Sequence, residues 1–310
     1  MNAGASSATP SGPAAPSTRA MSARAWHEAA VLRLIKKHRG KDPQALVEQY
    51  ASDLLTEWRI SELPVQVDAI TSALGIRRRL GSYPFAGRVY VEPSGQLVMD
   101  LNSDDPLSRR RFTCGHEIMH TLFPGFRRES RYRLDRVTGT TDIRRGEEEY
   151  LCDRGAAALL MPADLMAASS YRLSSGLASV ESLASAGEVS LEAAGNRLSE
   201  LAPDLVAFIV LDLRHKPADM PALRRGETVP ERLRVRYMNS RDLAVHVPRF
   251  KSADDDSVFA RALQSSSPQS GRERLPGNSS SQLFEIEARA YPRGDGSKEL
   301  SRVLAVAKPV

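Results

Sequence analysis

Two cysteines in 310 residues are too few for the disulfide framework of a small secreted protein. No apolar run approaches the roughly 18 residues that a membrane-crossing helix needs. The first 25 residues are rich in Ala, Ser, Pro and Gly. They lack the basic start and the apolar core of about 7–15 residues that mark a signal peptide. A disordered tail over residues 1–25 is therefore expected, with Met21 as a second candidate start. Charge of one sign is also scarce: 43 basic against 38 acidic side chains leave a net +5. A nucleic-acid partner is thus only weakly supported. The basic runs Arg77–Arg79, Arg109–Arg111 and Arg224–Arg225 are short and read as solvated faces. What remains is an ordinary mixture, 41% hydrophobic and 26% charged, of the kind found in cytoplasmic globular proteins. Its length suffices for two domains.

Against this background residues 105–124 stand out. They contain His116-Glu117-Ile118-Met119-His120, the H-E-x-x-H pattern. Asp105 is expected to cap a helix beginning at Pro106, and Pro124-Gly125 to end it. Phe112, Gly115, His116, Met119, His120 and Phe123 then form one helical stripe. Two imidazoles four residues apart leave the same face about one turn apart and can close on one zinc ion. Glu117, one step round from His116, can reach the open coordination position and take a proton from a water there. The competing reading is a solvated helix face. The apolar setting of the pattern, and its use of two of the chain's six histidines, weigh against that.

A catalytic zinc site needs a third protein ligand. The stretch from Glu147 to Pro162 offers one on a second helix, acidic in its first turn and stopped by Met161-Pro162. Glu149, Cys152, Asp153, Ala156 and Leu160 share a face of it. Spacing alone does not separate Glu149 from Glu148, and a solvated acidic helix start fits all three glutamates. Cys114 and Cys152 read as small buried hydrophobes, with a redox-sensitive thiol pair as the sharper alternative.

Three blocks in this order, Arg111–His120, Glu149-x-x-Cys152-Asp153 and Ala157–Pro162, resemble the ImmA/IrrE family of zinc metallopeptidases. Leu63–Ile76 is similar to the N-terminal segment of the same family, and the likeness covers about residues 45–200. The resemblance implies that His116, His120 and Glu149 are the zinc ligands and Glu117 the general base. It also implies that Asp153 orients a ligand histidine. Three departures accompany it: Cys114-Gly115 replaces a usual Leu-Ala, Met119 a usual Gly, and Gly155 stands where Phe is common. None removes a ligand or the base.

The expected fold is α+β. A zincin-like metallopeptidase domain of helices and a small sheet spans residues 26–170, and a helix-turn-helix-like segment follows over 171–202. A C-terminal α+β domain, sensor-like in some longer family members, spans 203–310. Helices are expected from Trp26 to Lys37, Asp42 to Trp58 and Val67 to Leu74, the last ended by Gly75. Strands Arg88–Val91 and Leu97–Leu101 form a hairpin leading into the motif helix, and a substrate could add as a further strand at an exposed edge of that sheet. Residues 125–146 read as one long polar loop. Leu177–Ala186 and Leu191–Leu201, capped by Ser190, read as the helix-turn-helix. Its second helix has one Arg and two Glu, a poor surface for phosphates. Further strands are expected at Val206–Leu213, Leu233–Met238, Leu243–Val247, Leu283–Tyr291 and Val303–Ala307. A helix is expected over Asp254–Leu263 and a flexible loop over Ser265–Ser281.

These readings converge on a zinc endopeptidase. The resemblance implies a protein substrate, a helix-turn-helix repressor whose cleavage derepresses stress-response or mobile-element genes. Tyr150, Tyr132 and His246 are candidate oxyanion stabilisers. The alternative is a regulatory protein that binds DNA or a repressor, with a structural or vestigial zinc site. Oligomeric state is not legible from the sequence.

Overall fold

The computed structural model describes residues 25–126, 131–133, 146–168, 176–240, 245–265, 267–277, 282–292 and 300–310. The expected tail, apart from Ala25, and most of the expected 125–146 loop lie outside these residues, as does Tyr132's side chain.

Among the described residues three helices come first: α1 (Ala29–Lys37), α2 (Pro43–Glu57) and α3 (Val67–Ala73). Asp42 caps α2 by accepting from the Ala45 amide at 3.2 Å, and Pro43 in the first turn loses no hydrogen bond there. Gly75, at φ +70°, lets the chain leave α3 in the left-handed region. It turns into β1 (Ile76–Gly81), a strand not anticipated from the sequence. Its run of three arginines hides the alternation, because only Ile76 is buried.

The expected hairpin is present as β2 (Gly87–Val91) antiparallel to β3 (Leu97–Asn102), but neither outer edge of it is open. β1 lies parallel along β3, and β4 (Arg131–Arg133), within the stretch read as loop, pairs with β2. The sheet order is β1-β3-β2-β4. An added strand would therefore meet β1 or β4 rather than the hairpin.

The motif helix α4 spans Leu107–His120, so the expected start at Pro106 is corrected. Pro106 occupies the cap position with ψ 153° and gives no side-chain cap. Asp105 lies one residue too early and pairs instead with Arg109 at 3.4 Å. Next come α5 (Glu147–Leu160) and α6 (Ala163–Ala168), then α7 (Leu177–Gly187) and α8 (Leu191–Leu201). Ser190 caps α8 through the Ala193 amide at 3.1 Å.

The remaining described residues build an antiparallel sheet in the order β6-β5-β9-β8-β7. These strands are β5 (Ala207–Arg214), β6 (Arg232–Ser240), β7 (Gln269–Glu273), β8 (Phe284–Pro292) and β9 (Leu300–Pro309). Two short helices accompany them, α9 (Met220–Arg224) and α10 (Val258–Gln264). β7 replaces part of the expected 265–281 loop. It is a partly exposed edge strand without the apolar alternation that would have marked it. Residues 245–247, expected as strand, have no regular structure; Val245 and Val247 are buried while His246 is exposed, so their alternation reflects burial without strand pairing.

Both faces of this second sheet are covered. Ala207, Ile209 and Leu211 join Val258 and Phe259 of α10 in one core. Phe208, Val210, Leu304 and Val306 join the core that also contains α4 and α5. This explains the unbroken apolar run of β5, as strands buried on both faces do not alternate. α8 is the wedge between the two parts. A Cβ on Gly195 would meet the Phe208 ring at 2.3 Å, so only glycine lets the helix lie this close to β5. No α8 residue from 191 to 200 is fully exposed, which leaves little of the helix free to enter a DNA groove.

Candidate metal centre

α4 and α5 pack antiparallel. Gly115 lies against Ala156, where an added Cβ would sit at an ordinary 3.5 Å, and His120 lies against Glu148. Small residues at the crossing let the backbones approach and bring two i,i+4 sets face to face. From α4 come His116, Glu117 and His120, all buried to about 1% exposure or less. Opposite them on α5 are Glu148 and Glu149 in the first turn and Cys152 and Asp153 in the next.

The four imidazole nitrogens sort into two pairs. Both Nδ1 atoms are held from α5: His116 by Asp153 Oδ1 at 2.9 Å and His120 by Glu148 Oε1 at 2.9 Å. Each Nε2 faces a different oxygen of Glu149, at 3.1 Å for His116 and 3.4 Å for His120. A carboxylate on Nδ1 fixes the tautomer that leaves Nε2 as the electron-pair donor. The two rings lie 5.0 Å apart and edge to face.

This cluster favours positive charge. Burial would raise the Glu149 carboxyl, but hydrogen bonds from His116 and His120 outweigh it and hold it far below the usual carboxylate range. Burial would lower the His120 imidazole, but contacts with Cys152, Glu148 and Glu149 hold it well above its ordinary value. Cys152 itself is pushed up to about 12 by burial. It is a neutral thiol at pH 7, so the carboxylates are the lasting source of the pull on His120.

Donor chemistry and spacing suit a divalent metal. Zinc bonds of about 2.0–2.2 Å in a tetrahedron separate N and O donors by about 3.3–3.6 Å, close to the two Nε2–carboxylate distances. His116, His120 and Cys152 also bring one ligand atom each within 4.8 Å of one another. The thiol, however, lies 3.5 Å from Nδ1 of His120, the nitrogen already engaged by Glu148. A metal on that side would have to displace Glu148, whereas one on the Nε2 side leaves both supporting carboxylates in place.

All five residues singled out from the sequence thus meet at the α4–α5 crossing: His116, His120, Glu149 and Asp153 in direct contact, and Glu117 buried beside His116 on α4. Glu148 was left open with Glu149. Its 2% exposure removes the solvated reading, and its place on Nδ1 rather than Nε2 separates the two. Cys152 is buried as expected but touches His120, which a purely apolar reading misses. The oxyanion candidates fare less well. The Tyr150 hydroxyl donates to Gln44 at 3.1 Å, away from the histidines, and His246 is exposed in the C-terminal part.

A cavity of about 630 Å³ lies between α2, the start of α6 and α8. No residue of the histidine cluster lines it.

Residues 74–199 match the Peptidase_M78 family model, described as the IrrE N-terminal-like domain. Among solved structures, a Mycobacterium tuberculosis transcriptional regulator aligns with a TM-score of 0.51 at 13% identity, covering 90% of this chain and 93% of that one. At that identity the likeness is one of fold. No curated protein matches the chain. The histidine-bearing helix, the acidic helix packed on it and the small sheet ahead of them all fall within the matched residues, and this part of the chain is an IrrE N-terminal-like domain.

Proposed function

We propose that the chain is a zinc-dependent endopeptidase, with zinc held by His116, His120 and Glu149. The observation that carries this reading is the convergence of both Nε2 atoms on the Glu149 carboxylate while Asp153 and Glu148 hold both Nδ1 atoms. Zinc, when bound, supplies a Lewis acid that polarises a peptide carbonyl and acidifies water toward a pKa of about 7. Glu117 is the general base. It is fully buried on the same helix, where a carboxylate is costly unless it is compensated or used. It takes the water's proton and passes it to the leaving amine. Asp153 and Glu148 keep the imidazoles oriented and electron-rich.

The substrate is a protein, and the family points to a helix-turn-helix repressor whose cleavage derepresses stress-response or mobile-element genes. The compartment is the cytoplasm; among the described residues no helix is long and apolar enough to cross a membrane. The chain divides as a tail over 1–25, a peptidase domain over 26–170, the helix pair over 171–202 and a sensor-like domain over 203–310.

A second reading, regulation by binding with a structural or vestigial metal, draws on the regulator whose fold this chain shares. The enclosure of α8 speaks against DNA reading by that helix. Metal analysis tests the main reading. About one zinc per purified chain is expected, lost in His116→Ala or His120→Ala. Full retention in either variant contradicts the site.

A further inference from the structure

The first turn of α5 carries Glu148 and Glu149, and its position is set from the far N-terminal side of the sequence. The Glu147 carboxylate accepts from the amides of His27, at 2.8 Å, and Glu28, at 2.7 Å, which lie just ahead of α1. In return the Glu28 carboxylate accepts from the Glu148 amide at 2.8 Å. Each glutamate thus satisfies amides at the other's helix start, where a helix leaves donors unfilled and favours negative charge. Gly146 leaves room for this: a Cβ there would lie 3.1 Å from Glu28 Oε2. Trp26 packs near Tyr150, with ring centroids 6.4 Å apart, and Tyr150 is tied to Gln44 of α2.

We propose that Glu28 is a positioning residue for the metal centre. Its carboxylate fixes the backbone of Glu148, and with it the carboxylates that orient His120 and face both Nε2 atoms. This rests on the zinc-site reading above. Glu28 touches neither histidine, so its influence runs through the α5 backbone. Removing its acceptor frees the Glu148 amide to fray and lets the adjoining carboxylates leave the geometry in which they meet the imidazoles.

The test is a competitive Zn2+ titration against a chromophoric chelator with the full chain and three variants, together with hydrogen exchange of the metal-free proteins. Glu28→Ala is expected to weaken zinc about tenfold, the low end for loss of an outer-shell partner, and to speed exchange at the Glu148 amide. Glu28→Gln keeps an acceptor oxygen and should restore affinity to within about threefold of wild type. Asp42→Ala removes the cap of α2 and controls for a general loss of stability. It should lower the melting temperature while leaving zinc affinity intact. Unchanged zinc affinity in Glu28→Ala overturns the proposal, as does an equal loss in Asp42→Ala or a failure of Gln to rescue. If the wild-type chain itself takes no zinc, the zinc-site reading falls and this proposal with it. The exchange data then still report separately whether Glu28 holds the α5 start.

Discussion

Met119 and Gly155 exchange bulk across the α4–α5 crossing. In the family that these residues resemble, the first position is usually Gly and the second commonly Phe, and here the order is reversed. A Cβ on Gly155 would lie 2.5 Å from Met119 Sδ and 2.8 Å from its Cγ, so the methionine fills the space a side chain on α5 would take. The two departures stand far apart in the sequence; across the helix crossing they compensate. Gly155→Phe should destabilise by about 1–3 kcal/mol or more through overpacking, and Met119→Gly by about 2–5 kcal/mol through the void it leaves. The double variant should recover at least about 1 kcal/mol of their sum, measured by denaturant unfolding; strict additivity would contradict the exchange. The histidines were legible because their i,i+4 spacing is itself the chemistry. Glu148 and Glu149 were not separable, because neighbours on a helix differ by a rotation that only the packed partner resolves. Glu148→Gln and Asp153→Asn should each weaken zinc by about 10- to 100-fold, and Glu149→Gln should weaken it further. A Glu148→Gln affinity equal to wild type would mean that the Nδ1 contact plays no part.

At the scale of elements, α8 shows where pattern reading reaches its limit. Its amphipathic spacing, Ser190 cap and neighbour α7 suit a helix-turn-helix, and both helices form. Only the tertiary structure shows that Arg197 is 3% exposed, donating to Met161 O at 3.1 Å and Glu200 at 3.1 Å. Only there is Glu192 seen bonded to Arg236, Arg302 and Tyr237 of the second sheet. Arg197→Ala should cost about 1–3 kcal/mol, since it leaves the buried Met161 carbonyl without its donor; a thermal melt within about 1 °C of wild type would contradict this. Strands with apolar runs were legible, as at β5. β1 and β7 were not, because one is half arginine and the other is an edge with little burial.

Over the whole molecule, the second sheet turns one face to its own helix α10 and the other to the core that holds the candidate metal centre. Phe208, Val210, Leu304 and Val306 make that junction. A chain ending at residue 202 would strip Phe208 from Gly195 and open the core around α8. It should melt well below the full chain, whereas an unchanged melting temperature would show that the junction adds no stability. Much of the order of helices and strands along the sequence was legible. Their shared core was not visible, because contacts across a hundred residues leave no local pattern.

The central claim, peptide hydrolysis with Glu117 as base, is tested most directly by mapping new protein N-termini in cells expressing the chain or its Glu117→Gln variant. The amide is nearly isosteric with the carboxylate but cannot accept a proton at neutral pH, and general-base catalysis contributes about 100- to 10,000-fold. The account predicts one or a few new termini, in a helix-turn-helix protein, that depend on wild-type Glu117 and vanish in the variant while its zinc content is unchanged. The same termini at the same abundance in both, or none in either, would contradict it.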